Sequence, residues 1–275
     1  MSPLRQTLVI EAGHTERHYW RDLWRYRELF FFLAWRDVLV RYKETVVGVA
    51  WSVIRPVATM VVFTLVFGRI AQLPSDGVPY PILVFAALLP WQFFANTVSE
   101  GSNSLVENSN VISKVYFPRM LVPLSTVLVS LVDFLISLAL LALLLAWYAF
   151  LPGPRVVLLP AFLGLAAVTA IGITLLLSAL NVRYRDVRYV VPFLIQFGLF
   201  MSPVGFSASV VPETWRWLYA LNPMVGVIEG FRWCLLPSHV LDLRSLVAAA
   251  VIALIMLVGG VVYFRRTERS FADVI

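Results

Sequence analysis

The sequence predicts an all-α integral membrane protein with six transmembrane helices, an N-terminal amphipathic interface helix, and two short re-entrant exterior helices before the last span. Three observations carry that prediction. Hydrophobic residues fill 60% of the 275 positions and charged residues only 14%, at a mean hydropathy of +0.83, too apolar for a water-soluble domain of this size. Apolar stretches of roughly 20 residues, the length that crosses about 30 Å of hydrocarbon, follow one another along the chain. Basic residues gather in every second gap between them.

Taken in order, residues 1–47 form a charged N-terminal region, 48–264 a six-span domain and 265–275 a tail. The region carries charge throughout, and its longest apolar run, Leu29–Trp35, is too short for a signal peptide. Between Tyr19 and Tyr42, Trp20, Leu23, Trp24, Phe31, Trp35, Val38 and Tyr42 recur at three- and four-residue steps, with Arg21, Arg25, Glu28, Arg36 and Asp37 largely elsewhere. That pattern predicts an amphipathic helix lying in the membrane interface.

The expected spans are Gly48–Ile70, Pro79–Val98, Leu121–Phe150, Val156–Ala179, Tyr189–Phe206 and Leu246–Phe264. With six spans, seventeen of the 22 Lys and Arg residues fall on the side of the two termini, which the positive-inside rule assigns to the cytoplasm. The distribution makes the net charge of +6 a matter of topology rather than of nucleic-acid binding.

Two gaps are more than linkers. In Ser99–Pro118 a polar stretch gives way to a short amphipathic piece containing Val106, Val111, Ile112, Val115, Tyr116 and Phe117, with Asn108 or Ser109 as its expected cap. Such a cytoplasmic helix suits docking to a partner, although a loop that caps its own bundle has the same composition. On the exterior side, Ser207–Ser245 is rich in Trp and Pro, too greasy to be solvated and too broken to cross. Two short helices hinged at Asn222-Pro223 would fit, with backbone at membrane depth covered by protein or an aqueous cavity; an interfacial belt of Trp215, Trp217 and Tyr219 is the plainer alternative.

Searching for chemistry excludes more than it finds. The two lysines, Lys43 and Lys114, lie in no G-x-x-x-x-G-K-[ST] phosphate loop, so ATP hydrolysis would have to come from another polypeptide. His14 and His18 are four apart but have no evident third ligand, Cys234 is the only cysteine, and no G-x-S-x-G elbow occurs. Neither a metal nor a bound cofactor is expected. Asp133, alone within an apolar run, is an ionisable group expected either to form part of a polar path or to lock helices by pairing with a neighbour. Arg55 sits where it can snorkel or meet an anion. Pro90 and Gln92 inside a span, beside Trp91, Phe93 and Phe94 and with Tyr80 and Phe85 nearby, suggest a cavity wall on which sugar rings could stack.

The stretches RYKETVVGVAWSVIRP (41–56), VFGRIAQLPSDGVPYPILVFAALLPWQFF (66–94), NSNVISKVYFPRMLVP (108–123), LNVRYRDVRYVVPFLIQ (180–196) and LNPMVGVIEGFRW (221–233) resemble the ABC-2 type permeases that export O-antigen, capsular polysaccharide or teichoic acid. The resemblance covers nearly the whole chain in order. It implies a homodimer of permeases joined to two ABC ATPase subunits that hold the ATP and Mg, moving an undecaprenyl-linked glycan, O-antigen foremost, across the bacterial inner membrane. Asn108–Phe117, with Val111, Ile112, Lys114, Val115 and Tyr116, would be the coupling helix. Val210–Leu236, with Trp215, Trp217, Tyr219, Asn222 and Pro223, would form the exterior gate. Arg41, Lys43 and Arg55 would meet the lipid pyrophosphate, and Tyr80, Phe85, Trp91, Phe93 and Phe94 would guide the glycan. Two alternatives share parts of this pattern: an ABC-2 exporter of a small drug or lipid, and a membrane glycosyltransferase or polymerase.

Overall fold

The structure is a computed structural model that describes residues 19–43, 46–75, 77–237 and 239–271. His14 and His18 lie outside the described residues. Helices α1 (Tyr19–Arg25) and α2 (Arg27–Lys43) lead into α3 (Val46–Phe63), which continues as a π-helical segment over Thr64–Ile70. Then come α4 (Tyr80–Glu107), the single turn α5 (Ser109–Ile112), α6 (Leu121–Trp147), α7 (Leu159–Arg183) and α8 (Val187–Phe200). Finally α9 (Glu213–Tyr219) and α10 (Pro223–Leu235) precede α11 (Leu243–Thr267). No strand occurs among the described residues.

Among the described residues, five stretches are long and apolar enough to cross a membrane: Ala50–Ile70, Tyr80–Glu107, Leu121–Trp147, Pro154–Arg183 and Leu243–Thr267. The fifth expected span, Tyr189–Phe206, is instead the 14-residue α8 followed by turns. At 1.5 Å per residue α8 alone is about 21 Å long, so a crossing at this position would be completed by the turns that run on through Phe206. The second span runs further than expected, because the polar residues after Val98 continue α4 to Glu107 rather than forming a loop.

α4 is the central helix. Its most apolar window is 78% buried against 6% for that of Ala50–Ile70, which leaves α3 at the margin of the bundle. α4 packs against α6, α7, α8 and α10, and α7 packs along α11. Backbone closeness sets that last contact: a Cβ on Gly260 would stand 2.1 Å from the Gly172 carbonyl oxygen, and one on Gly172 2.5 Å from the Leu257 amide. Small residues allow this approach, and between helices in lipid it is close packing, not water exclusion, that holds them.

Two apolar cores follow. The larger gathers Ile82–Trp91 of α4 with Phe134, Phe162, Val204, Ile228 and Phe231. A smaller one, at the other end, joins Tyr19 and Leu33 of α1 and α2 to Ile112, Phe117, Leu175 and Phe264. The interface helix is broken at Tyr26 but keeps its expected character, since Trp20, Trp24, Phe31 and Trp35 are exposed on one side while Leu33 and Ala34 are buried.

Candidate transport and coupling site

The expected coupling segment is smaller than a helix and better anchored than a loop. α5 is one turn, and Asn108 does not cap it with its side chain. That side chain is occupied elsewhere: Nδ2 donates to the Ser104 carbonyl at 2.9 Å, and Oδ1 accepts from Arg36 Nη2 at 2.8 Å. Ile112 and Phe117 are buried in the smaller core, whereas Lys114, Val115 and Tyr116 point outward. Val111 is half-buried. Two fixed anchors with four exposed residues between them, Ser113 to Tyr116, make a short projection that follows movement at its base. Tyr116 keeps its hydroxyl protonated above the ordinary range, chiefly through partial burial.

Behind this projection lies a polar cluster within the apolar bundle. Arg41 of α2 donates to Asp133 of α6 at 2.6 Å and to Glu100 of α4. Tyr42 donates its hydroxyl to the second Asp133 oxygen, and Asn96 of α4 reaches Asp133 at 3.4 Å. Three helices are thereby tied through one guanidinium. Asp133 is thus paired with a neighbouring helix, the locking arrangement weighed for it from sequence. Arg41 stands differently from the expectation that it meets a pyrophosphate together with Lys43 and Arg55. It is committed to two carboxylates, while Lys43 and Arg55 remain exposed.

The aromatic residues expected along a path also need correction at the level of the single chain. Phe85, Trp91, Phe93 and Phe94 are buried in the larger core, with Phe93 against Phe134 and Trp91 against Phe94. Gln92 is half-buried. Proline and glutamine in a span therefore mark the central helix here rather than an open wall. Tyr80, at the start of α4, is half-buried and donates its hydroxyl to the Gly205 carbonyl at 2.7 Å.

At the other end, α9 and α10 are the two short helices expected before the last span, separated at Ala220–Asn222. Asn222 caps α10, its Oδ1 accepting from the Met224 amide at 3.0 Å, while its Nδ2 donates to Ser202 Oγ at 2.9 Å. Pro223 follows at the first helical position, where a missing amide costs nothing. α9 is the outer element, with Trp215 and Trp217 exposed and Tyr219 half-buried; α10 is almost wholly buried.

Inside α10 is an assembly that the sequence reading passes over. Arg232, 0% exposed, donates through Nη1 to the Phe206 carbonyl at 2.9 Å and to Glu229 Oε1 at 3.3 Å. Through Nη2 it donates to the carbonyls of Val204 and Leu83 at 3.3 and 3.4 Å. The other Glu229 oxygen shares a 2.7 Å hydrogen bond with His239 Nε2. One side chain thus satisfies backbone acceptors of α4 and of the turn after α8, while a carboxylate balances its charge. The signal was present: an acid and a base three apart within VGVIEGFRWCLL face one way on a helix. Among the described residues no group of His, Cys, Asp and Glu is arranged to hold a metal.

Comparison with known proteins accords with this arrangement. The profile of the ABC-2 type transporters matches residues 28–236. An O-antigen export system permease protein of Myxococcus xanthus is 30% identical over 256 residues, 92% of this chain and 97% of that protein. An O-antigen export system permease protein of Klebsiella pneumoniae is 25% identical over 251 residues, covering 90% and 95%. A polysialic acid transport protein of Escherichia coli is 23% identical over 241 residues, covering 86% and 92%.

Proposed function

Because the chain belongs to the ABC-2 type transporter family, we propose that it is the permease subunit of an ATP-driven exporter whose cargo is a polysaccharide carried on undecaprenyl pyrophosphate, O-antigen foremost. The observation that carries this reading is the end-to-end similarity to the M. xanthus permease. Two copies of the chain and two ATPase subunits assemble in the bacterial inner membrane with both permease termini in the cytoplasm. ATP and Mg are bound by the ATPases, and this chain supplies the passage.

The mechanism follows from how the pieces are joined. ATP binding closes the ATPases and displaces the exposed Lys114–Tyr116 projection. Its anchors Ile112 and Phe117 pass the motion to the smaller core, which includes the interface helix and the end of α11. The bond from Arg36 to Asn108 and the Arg41 cluster carry it on to α4 and α6. Lys43 and Arg55, exposed toward the expected cytoplasmic side, attract the lipid pyrophosphate.

The test is purification of tagged protein, expressed with its neighbouring genes, in mild detergent. The expected result is an ATPase subunit in equal amount, lost in the V115D/Y116D variant, and cytoplasmic accumulation of lipid-linked glycan in a deletion strain. A chain that retains no ATPase in several detergents would sink the exporter. Drug sensitivity without glycan accumulation would transfer the cargo to a small molecule.

A further inference from the structure

Where α1, the segment leaving α5 and the last turn of α11 converge, the structure has a half-open cleft of about 770 Å³. Arg119, Arg265, Arg266 and Arg269 line it against only two acids, Asp22 and Glu268. Glu268 is already engaged: its Oε1 accepts from the Arg119 amide at 2.9 Å, and its carbonyl accepts from Arg119 Nη1 at 2.7 Å. Burial pushes the Glu268 carboxyl above its ordinary range.

Arg265 and Arg266 form no salt bridge among the described residues. The Arg265 guanidinium lies over the rings of Tyr19 and Trp20, 4.9 and 5.9 Å from their centres. Stacking holds the group flat and leaves its in-plane N–H fork for an anion. Arginines at the end of a span also orient it in the membrane. Convergence with Arg119, from a different segment, on one cleft is not needed for that role.

The position selects the anion. α11 is 25 residues long, about 37 Å, so its last turn emerges from roughly 30 Å of hydrocarbon into the headgroup layer. Val262, one turn earlier, and Trp20 are exposed apolar walls of the same cleft. Cationic donors above an apolar wall match a phosphodiester with acyl chains below it, and the volume far exceeds the ~30 Å³ of a water. We propose that this cleft binds the headgroup of an acidic membrane phospholipid and thereby fastens the Tyr116–Arg119 segment to the end of α11.

The experiment is native mass spectrometry of the full chain released from nanodiscs of phosphatidylcholine containing phosphatidylglycerol. The wild type should retain phosphatidylglycerol preferentially, and R265Q/R266Q should bind it about thirtyfold more weakly, the order expected from two arginines at a membrane surface. R265K/R266K, which keeps the charge but loses the stacked fork, should recover only part of the binding, and R216Q, on the exterior helix α9, should leave it unchanged. Equal retention by R265Q/R266Q overturns the proposal. Displacement of the lipid by millimolar inorganic phosphate identifies a free-phosphate site and overturns it too, as does unchanged lipid with loss of a bound partner polypeptide. If R265Q/R266Q fails to fold, photoactivatable phosphatidylglycerol on the wild type decides. Labels on peptides containing Trp20 or Val262 support the site, and labels confined to other peptides refute it.

Discussion

Arg41 shows how a single side chain can settle a local charge balance. It faces two carboxylates, Glu100 and Asp133, so removing different members leaves different remainders. R41Q strands two acids in an apolar bundle, whereas D133N leaves a one-to-one pair with Glu100. We expect R41Q to cost stability near the lower end of the roughly 3–5 kcal/mol for breaking a buried pair, since Arg41 is 30% exposed. D133N and E100Q should cost less, and the triple neutral variant should recover part of the R41Q loss; thermal unfolding in detergent would rank the four. Asp133 was legible in the sequence because a lone acid in an apolar run stands out. Its partner was not, because Arg41 is separated by 92 positions and sits in a region crowded with other arginines. Glu229 and Arg232 were hidden differently, in a segment whose aromatic and proline content drew the reading toward two short re-entrant helices, with a surface belt as the alternative.

Helices were easier to read than their ends. The interface helix, the paired short helices and the apolar spans follow from periodicity and length, which are local properties. The extension of α4 to Glu107 does not, because Ser102 and Ser104 return their hydroxyls to carbonyls three residues back while buried against other helices, so tertiary cover overrides a polar composition. Contact between α7 and α11 supplies a sharp test at this scale. G260A should destabilise by at least the roughly 1–3 kcal/mol of an overpacked core, as its methyl would meet backbone at 2.1 Å. G259A, with nothing within 4 Å, should be tolerated; a thermal-shift series with equal losses for both would refute this packing. α11 also begins with a measurable cap. Asp242 accepts from the Arg244 amide and the Ser245 hydroxyl, and mainly the latter bond holds its carboxyl below the ordinary range. Its stabilisation is present at neutral pH and fades as pH falls below about 4. D242N should therefore unfold with a flatter acid limb, while D242A should lose about 1 kcal/mol at neutral pH.

For the whole molecule, the distribution of arginine and lysine predicts an orientation that labelling can test. Cys234 is buried, so in a C234S background single cysteines report sidedness. V115C should react with an impermeant maleimide only from the cytoplasmic face, and W217C only from outside; labelling of both from one face would reverse the topology. The bundle's general plan was readable because lipid imposes simple rules on composition, whereas the route through it was not. Phe85, Trp91 and Phe93 look alike in sequence whether they line a passage or fill a core, and only the central position of α4 separates the two. Arg232 bears on a matter of time rather than of shape. Placing a lone charged residue at the centre of a membrane helix costs about 2.5–3.5 kcal/mol on insertion scales, and α10 carries both Arg232 and Glu229. That cost is offset only after Leu83 and the Val204–Phe206 turn have presented their carbonyls. α10 should therefore settle only after these neighbours are in place, late in assembly. Cys234, two residues beyond Arg232, is a native clock for that event, and in a pulse-chase its thiol should stay reactive after α11 has inserted and then fall silent.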